Sequence, residues 1–315
     1  MMKTFLLSTA MVAGLAGGAA AENIGVSMAL FDDNFLTVLR NGIQEQASGM
    51  ENVDVQVEDA QNDVARQLDQ IKNFIASGVD AIIVNPVDTS ATQAMTDAAA
   101  AANVPLVFVN REPVNVDALP DNQAFVASDE RESGTLETVQ VCDLLAAAGK
   151  TEANIYVMMG ELSNQAAVQR TADIHDVIEG GKCAVTLNII DEQTANWQRD
   201  EAQDLMTNWL SSGTAFDALI SNNDEMAIGA IQAMKAAGIS MDDVVVGGID
   251  ATQDALLAMA AGELDVTVFQ DAAGQGGGAL DAALKLSRGE AVEQKVYVPF
   301  QLVTPENMTE FTQSN

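Results

Sequence analysis

The stretch VDAIIVNPVDTSATQAMTDAAAAANVPLVFVN, Val79–Asn110, decides the fold. It opens and closes on a short run rich in Val and Ile that ends in asparagine, with an amphipathic segment between the two. A strand covered on both faces reads as such an unbroken apolar run, and parallel neighbours need a crossover, usually a helix, to join them. The same alternation continues outward through NIGVSMAL, VDVQVED, NIYVMMG, CAVTLNIID, FDALISN, DVVVGGID and DVTVFQ, which begin at Asn23, Val53, Asn154, Cys183, Phe216, Asp243 and Asp265. In one of the intervening segments Val64, Leu68, Ile71 and Ile75 fall on one helical face. Strands and helices in this order predict an α/β protein with mainly parallel, doubly wound sheets. The chain has 315 residues, 48% of them hydrophobic; at roughly 100–200 residues per domain, that length predicts two lobes.

The first residues, MMKTFLLSTAMVAGLAGGAAA, carry Lys3, an apolar core from Phe5 to Leu15, and small residues Ala19 and Ala21 before Glu22. This pattern predicts a secretory signal peptide over residues 1–21, with an apolar core too short to span a membrane. A formal charge of -32 opposes association with nucleic acid or anionic lipid. In an oxidising compartment Cys142 and Cys183 either form one disulfide or stay as buried thiols, and the sequence leaves both open.

The apolar runs finish in Asn85, Asn110, Asp129, Asp191, Asn222, Asp250 and Gln270. In an open doubly wound sheet the carboxyl ends of the strands line the ligand crevice, although any one of these residues also suits a helix N-cap. Of these, Asn110, Asp250 and Gln270 join Asp33, Phe35, Arg111, Arg170, Trp197 and Asn223 in a set suited to sugars and cyclitols. Such molecules present apolar C–H faces that aromatic planes cover, and hydroxyls that planar Asp, Asn, Gln and Arg groups pair in directed hydrogen bonds. Catalytic chemistry has less to stand on. The one histidine, His175, lies in a helical stretch with no G-x-S-x-G nearby, and no Cys/His cluster has zinc-ligand spacing. Gly274–Ala279, GQGGGA, superficially fits a dinucleotide fingerprint, but no strand ending in an acidic residue follows to hold a ribose. Close helix packing against a sheet is the better use of those glycines. Neither a cofactor nor a metal is expected. A secreted sugar-metabolising enzyme is the rival function, and it would need an acid or base in the crevice.

Seven ordered stretches carry a resemblance to a known family: FDDNFLTVLRNGI (Phe31–Ile43), QND (Gln61–Asp63), VPLVFVNREP (Val104–Pro113), SDERESG (Ser128–Gly134), WQRDEAQDLMTNWL (Trp197–Leu210), SNNDEMAIGA (Ser221–Ala230) and VGGIDA (Val246–Ala251). Over essentially the whole mature chain the sequence resembles the type I periplasmic solute-binding proteins of sugar ABC transporters, specifically the galactose/glucose-binding protein and the inositol- and rhizopine-binding proteins. The resemblance implies two lobes that close about a multi-strand hinge. One lobe is expected from residues 22–128 with 272–298 and the other from 129–271 with 299–315, with crossovers near Ser128, Asp271 and Val298. It also implies a monomeric, non-enzymatic periplasmic protein. Its partners would be a small polyol or sugar, the membrane permease of an ABC importer and, compatibly, a chemoreceptor.

By the same resemblance Asp33, Asn110, Arg170, Asn223 and Asp250 hydrogen-bond the ligand, Phe35 and Trp197 sandwich its ring, and Arg111 matches a basic contact of ribose-binding relatives. Two positions depart from the galactose/glucose protein: Ala166 stands where that protein has an acidic residue, and Gln270 where it has a strand-terminal asparagine. The family's calcium loop has no counterpart around Gly149–Asn154. The lost carboxylate shifts the expectation from an aldohexose to myo-inositol or a related cyclitol, with glucose, galactose or ribose as the alternative.

Overall fold

The computed structural model describes residues 21–312; apart from Ala21, the expected signal peptide lies outside them. Elements follow one another as β1 (Glu22–Met28), α1 (Asn34–Ser48), β2 (Val53–Asp59), α2 (Val64–Ser77), β3 (Ala81–Val84), α3 (Thr92–Ala102), β4 (Leu106–Val109), β5 (Gln123–Ala127) and α4 (Glu130–Ala147). The chain continues through β6 (Glu152–Met159), α5 (Gln165–Glu179), β7 (Thr186–Thr194), α6 (Arg199–Ser211), β8 (Ala218–Ser221), α7 (Asp224–Ala236), β9 (Val245–Gly247), α8 (Gln253–Ala260) and β10 (Thr267–Phe269). It ends with α9 (Ala272–Ser287), β11 (Lys295–Tyr297) and β12 (Gln301–Val303).

Two sheets result. The first has the order β11-β5-β4-β3-β1-β2 and the second β7-β6-β8-β9, all pairings being parallel. Parallel bridges from Gly247 to Val266 and from Asp250 to Phe269 extend the second sheet to β10, which pairs antiparallel with β12. Because side chains alternate along a strand, each apolar run supplies two cores. In the first lobe Ile83 and Val107 pack against Leu39 and Ile43 of α1 and Leu280 of α9. Ile82, Val84, Leu106 and Phe108 face Ile71 and Phe74 of α2 and Met95 of α3. The second lobe repeats the scheme: Tyr156, Met158 and Leu219 meet α6, α7 and α8 on one side, while Ile155, Val157 and Ile220 meet α4 and α5 on the other.

Three details depart from the sequence expectation. Asp191 does not end a strand, since β7 runs on to Thr194, and its carboxylate accepts the Trp209 indole N–H at 2.7 Å instead. The buried face of α2 centres on Gln67, Gln70, Ile71 and Phe74, with Leu68 and Ile75 only half-buried. The two glutamines turn inward to serve polar groups at the strand ends: Gln67 donates to the Asn85 carbonyl at 2.9 Å and accepts from the Val87 N–H at 2.8 Å. The glycines of Gly274–Ala279 lie within α9, and they allow helix-on-helix more than helix-on-sheet approach. A Cβ on Gly276 would collide with the Leu39 carbonyl of α1, and one on Gly278 would touch Val126 of the sheet at 3.2 Å. Cys142 and Cys183 form a disulfide that ties α4 to the segment entering β7, with Cα atoms 5.4 Å apart.

Gly276→Ala is expected to lower the urea midpoint, by about 1–3 kcal/mol of stability if α1 and α9 shift to make room, as followed by circular dichroism. Asp173 on α5 supplies a pH test: burial pushes its carboxyl up to about 6, partly opposed by a hydrogen bond from Gln169. A folded state that holds its proton more tightly than the unfolded chain loses stability as pH rises. Here the loss runs from the ordinary value of 3.8 up to about 6. Asp173→Asn should therefore flatten the fall in Tm across that window, measured by thermal melts at successive pH values.

Candidate ligand-binding site

Both sheets are wound so that a central strand lies between its successors: β1 sits between β2 and β3, and β6 between β7 and β8. At such a reversal the loops leave the carboxyl edge in opposite directions and open a crevice. The crevices of the two lobes face each other around one cavity, whose non-protein space, open solvent at its mouth included, is about 390 Å³. The first lobe contributes Asp33, Phe35 and Leu36 from the β1–α1 junction, and Asn110 and Arg111 from the end of β4. The second contributes Asn164, Ala166 and Arg170 after β6, Trp197 after β7, Asn223 after β8, Asp250 after β9 and Gln270 after β10. All nine residues selected from the sequence thus line one space, far apart as they are along the chain.

Of the seven strand-end residues, only Asn110, Asp250 and Gln270 reach the cavity. Asn85 and Asn222 are fully buried behind it. Asn85 donates to the Val109 carbonyl at 3.2 Å and to Asn110 Oδ1 at 3.4 Å, while Asn222 Oδ1 accepts from the Gly160 N–H and the Thr171 hydroxyl, both at 3.1 Å. Asp129 caps α4. Capping and lining also coincide. Asp33 Oδ1 accepts the Leu36 N–H at 2.8 Å at the start of α1, and Asn223 Oδ1 accepts the Met226 N–H at 3.0 Å at the start of α7.

Arg170 is the most constrained group. It is buried, with Nε and Nη2 donating to the two oxygens of Glu130 at 2.7 and 2.9 Å. Nη1 donates to the Asn222 carbonyl at 2.7 Å, and Nη2 also to Gln270 Oε1 at 3.1 Å. Nη1 also pairs with Asp250, whose Oδ1 lies 3.8 Å away. Burial opposes the charge on Arg170, but Glu130, Asp250 and Glu137 outweigh it and raise its pKa further. Asp250 shows the reverse balance. Burial pushes its carboxyl well above the usual range; Arg170 only partly offsets this, and Asp224, Asp33 and Glu130 add to it. Asp33 is also raised by burial, against the pull of the Leu36 N–H and Arg111. Arg111, whose Nη1 donates to the Pro86 carbonyl at 2.9 Å, is lowered by burial despite Asp33 and Glu161.

Trp197 packs on Gly160, where a Cβ would collide with three carbons of the indole's six-membered ring. Its Nε1–H donates to Asn164 Oδ1 at 3.3 Å, and the Arg170 guanidinium lies 5.6 Å from the ring centre. Asn110, Trp197 and Asp250 hold φ values of 68°, 67° and 124°, unfavourable conformations of the kind that concentrate at functional sites. Asn164 and Glu130 were not selected from the sequence. Asn164 stands four residues beyond the apolar run that ends at Gly160. It holds the N-cap position of α5, but its side chain makes no cap there, and nothing local to it in the sequence shows that. Glu130 looked like an ordinary first-turn acid of α4. Only folding brings it to Arg170, 40 residues on.

A polar cavity shared by two doubly wound lobes, with aromatic faces and planar hydrogen-bonding groups, defines a two-lobed solute-binding fold. The chain belongs to the periplasmic binding protein family, whose domain model matches residues 24–291. It is 63% identical over 314 residues, and over the full length of both chains, to a Rhizobium meliloti protein named for rhizopine binding. It is 30% identical to a D-galactose/methyl-galactoside binding periplasmic protein of Haemophilus influenzae, covering 99% of each chain. Among solved structures it is similar to an ABC transporter solute binding protein from Bacillus halodurans with bound myo-inositol, at 42% identity and a TM-score of 0.87, covering 95% of this chain and 100% of that one. A Caulobacter myo-inositol binding protein bound to myo-inositol is 29% identical with a TM-score of 0.82, covering 94% and 98%.

Gly160→Ala is expected to displace the Trp197 ring from its seat. The measurable result is a change in intrinsic tryptophan emission together with loss of solute affinity, whereas an unaltered spectrum would show that the indole does not depend on Gly160.

Proposed function

We propose that the protein captures a small cyclitol, myo-inositol or a close relative, in the periplasm and delivers it to the permease of an ABC importer. The observation that carries this reading is the single cavity in which Asp33, Asn110, Asn223, Asp250 and Gln270 converge with Phe35 and Trp197. Acceptors and amide donors set around a ring-sized space suit a ring of hydroxyls, and aromatic planes suit its C–H faces. Arg111 and Arg170 complete the contact set. Most of Arg170 is already engaged by Glu130, Asn222, Gln270 and Asp250, so its main part is to fix its neighbours around the solute. The relatives with bound myo-inositol support the choice of solute.

Two local features favour a cyclitol over an aldohexose. Ala166 lines the cavity where the galactose/glucose-type site has a carboxylate, and the Gln270 amide is turned toward Arg170 and Glu130. Lobe boundaries at residues 22–128 with 272–298 and 129–271 with 299–315 belong to the same proposal. They are supported by the pairing of β11 with β5 and of β12 with β10. Solute binds across the boundary, so it stabilises the closed arrangement over the open one, as any ligand-driven closure requires.

Isothermal titration of the mature protein tests this. Myo-inositol should bind at least tenfold more tightly than D-glucose or D-galactose, and Asp250→Ala should weaken it by about 1–3 kcal/mol, the loss expected when buried hydrogen-bond partners are left unmatched. Tighter binding of glucose or galactose would replace the cyclitol with a monosaccharide, and an unaffected Asp250→Ala variant would remove Asp250 from the contact set.

A further inference from the structure

Hydrogen bonds made wholly between protein groups also cross the cleft, outside the cavity. Asn34, the first residue of α1, belongs to the first lobe, and Glu225, the second residue of α7, to the other. The Asn34 amide donates to Glu225 Oε1 at 2.9 Å, across 191 positions of sequence. The acceptor is held in place by its own lobe. Arg199 of α6 donates from Nε to Glu225 Oε2 and from Nη2 to Oε1, each at 2.9 Å, and Nη2 reaches Asp254 of α8 at 2.7 Å. A second seam joins the lobes elsewhere on the rim: the Thr89 N–H and hydroxyl both donate to the Ser163 carbonyl, at 3.0 and 3.1 Å. Neither Asn34 nor Glu225 lines the cavity.

We infer that the Asn34–Glu225 contact, oriented by Arg199, is a clasp that sets solute affinity without touching the solute. A carboxylate acceptor makes the bond charge-assisted and stronger than a neutral one, and the bidentate arginine removes the rotamer search that an exposed glutamate would otherwise lose on closing. The bond forms only when the lobes meet. Apparent affinity is the intrinsic affinity scaled by the fraction of molecules in the binding-competent form, so the clasp multiplies the affinity of every solute by one factor. A residue that touches solute behaves differently, because its contribution depends on which hydroxyl it meets. The inference rests on the solute-capture reading for its affinity measurements only.

The test uses the mature protein with Asn34→Ala and Asn34→Asp, titrated against myo-inositol and scyllo-inositol, with release followed by stopped flow. Asn34→Ala should weaken both inositols by the same factor, about three- to tenfold, the equivalent of one net hydrogen bond. Asn34→Asp should weaken them further, because it sets a second carboxylate against Glu225. Solute enters and leaves through the open form, so release should quicken while association stays unchanged. Undiminished affinity in Asn34→Asp, or factors that differ more than threefold between the two inositols, would overturn the clasp. Small-angle scattering without solute supplies an arm independent of ligand identity: Asn34→Asp should have a larger radius of gyration than wild type. Equal radii would also count against the clasp, whereas wild-type protein that binds neither inositol would overturn the ligand and leave the scattering result standing.

Discussion

The ion pair between Arg170 and Glu130 organises the second lobe's half of the cavity. Taking both charges out of water is costly, and the pair is tolerable because nearly every hydrogen-bonding position on it is filled. Its reach explains its importance: Glu130 begins α4, Arg170 lies in α5, the Asn222 carbonyl directly follows β8, and Gln270 directly follows β10. Ser133 adds a further hydrogen bond to Glu130 at 2.9 Å. Four elements are therefore fixed relative to one another by one guanidinium. Asp250 stands beside it in a second, longer ion pair, its Oδ1 3.8 Å from Arg170 Nη1.

The first lobe solves the same problem with neutral groups. Asn110 donates to Gln275 Oε1 at 3.2 Å, and Gln275 in turn donates to the Ser128 hydroxyl at 3.0 Å. Asn85, Gln67, Gln70 and Ser27 continue the chain of buried amides and hydroxyls beneath the strand ends. One half of the cavity is thus braced by charge and the other by amides. Both bracings fix planar groups before a solute arrives, which reduces the ordering that binding must otherwise impose. Closure then needs only to bring two prepared surfaces together, and the clasp at Asn34 and Glu225 acts on that step.

Individual residues show why some of the site was legible and some was not. Asn110, Asp250 and Gln270 announced themselves by ending apolar runs, a local pattern that follows from strand geometry. Asp191 ended a run in the same way and belongs elsewhere, because β7 extends past it and its side chain is taken by Trp209. Phe35, Arg170 and Trp197 were placed by family resemblance, since nothing in their immediate neighbours fixes where their side chains point. Glu130, Asn164 and the clasp residues gave no local signal: each depends on a partner at least 26 positions away, in another element.

The sequence alone determined the alternation of strands and helices, the parallel sheets and the polar strand ends, because those follow from side-chain periodicity within a few residues. Tertiary structure decided which polar ends line the cavity and which brace them from behind. It also decided that Gly274–Ala279 seats α9 on α1, that the two cysteines are joined, and which residues meet across the cleft. Such outcomes depend on distances between segments far apart in the chain, and the register in which two sheets and nine helices pack among the described residues sets those distances.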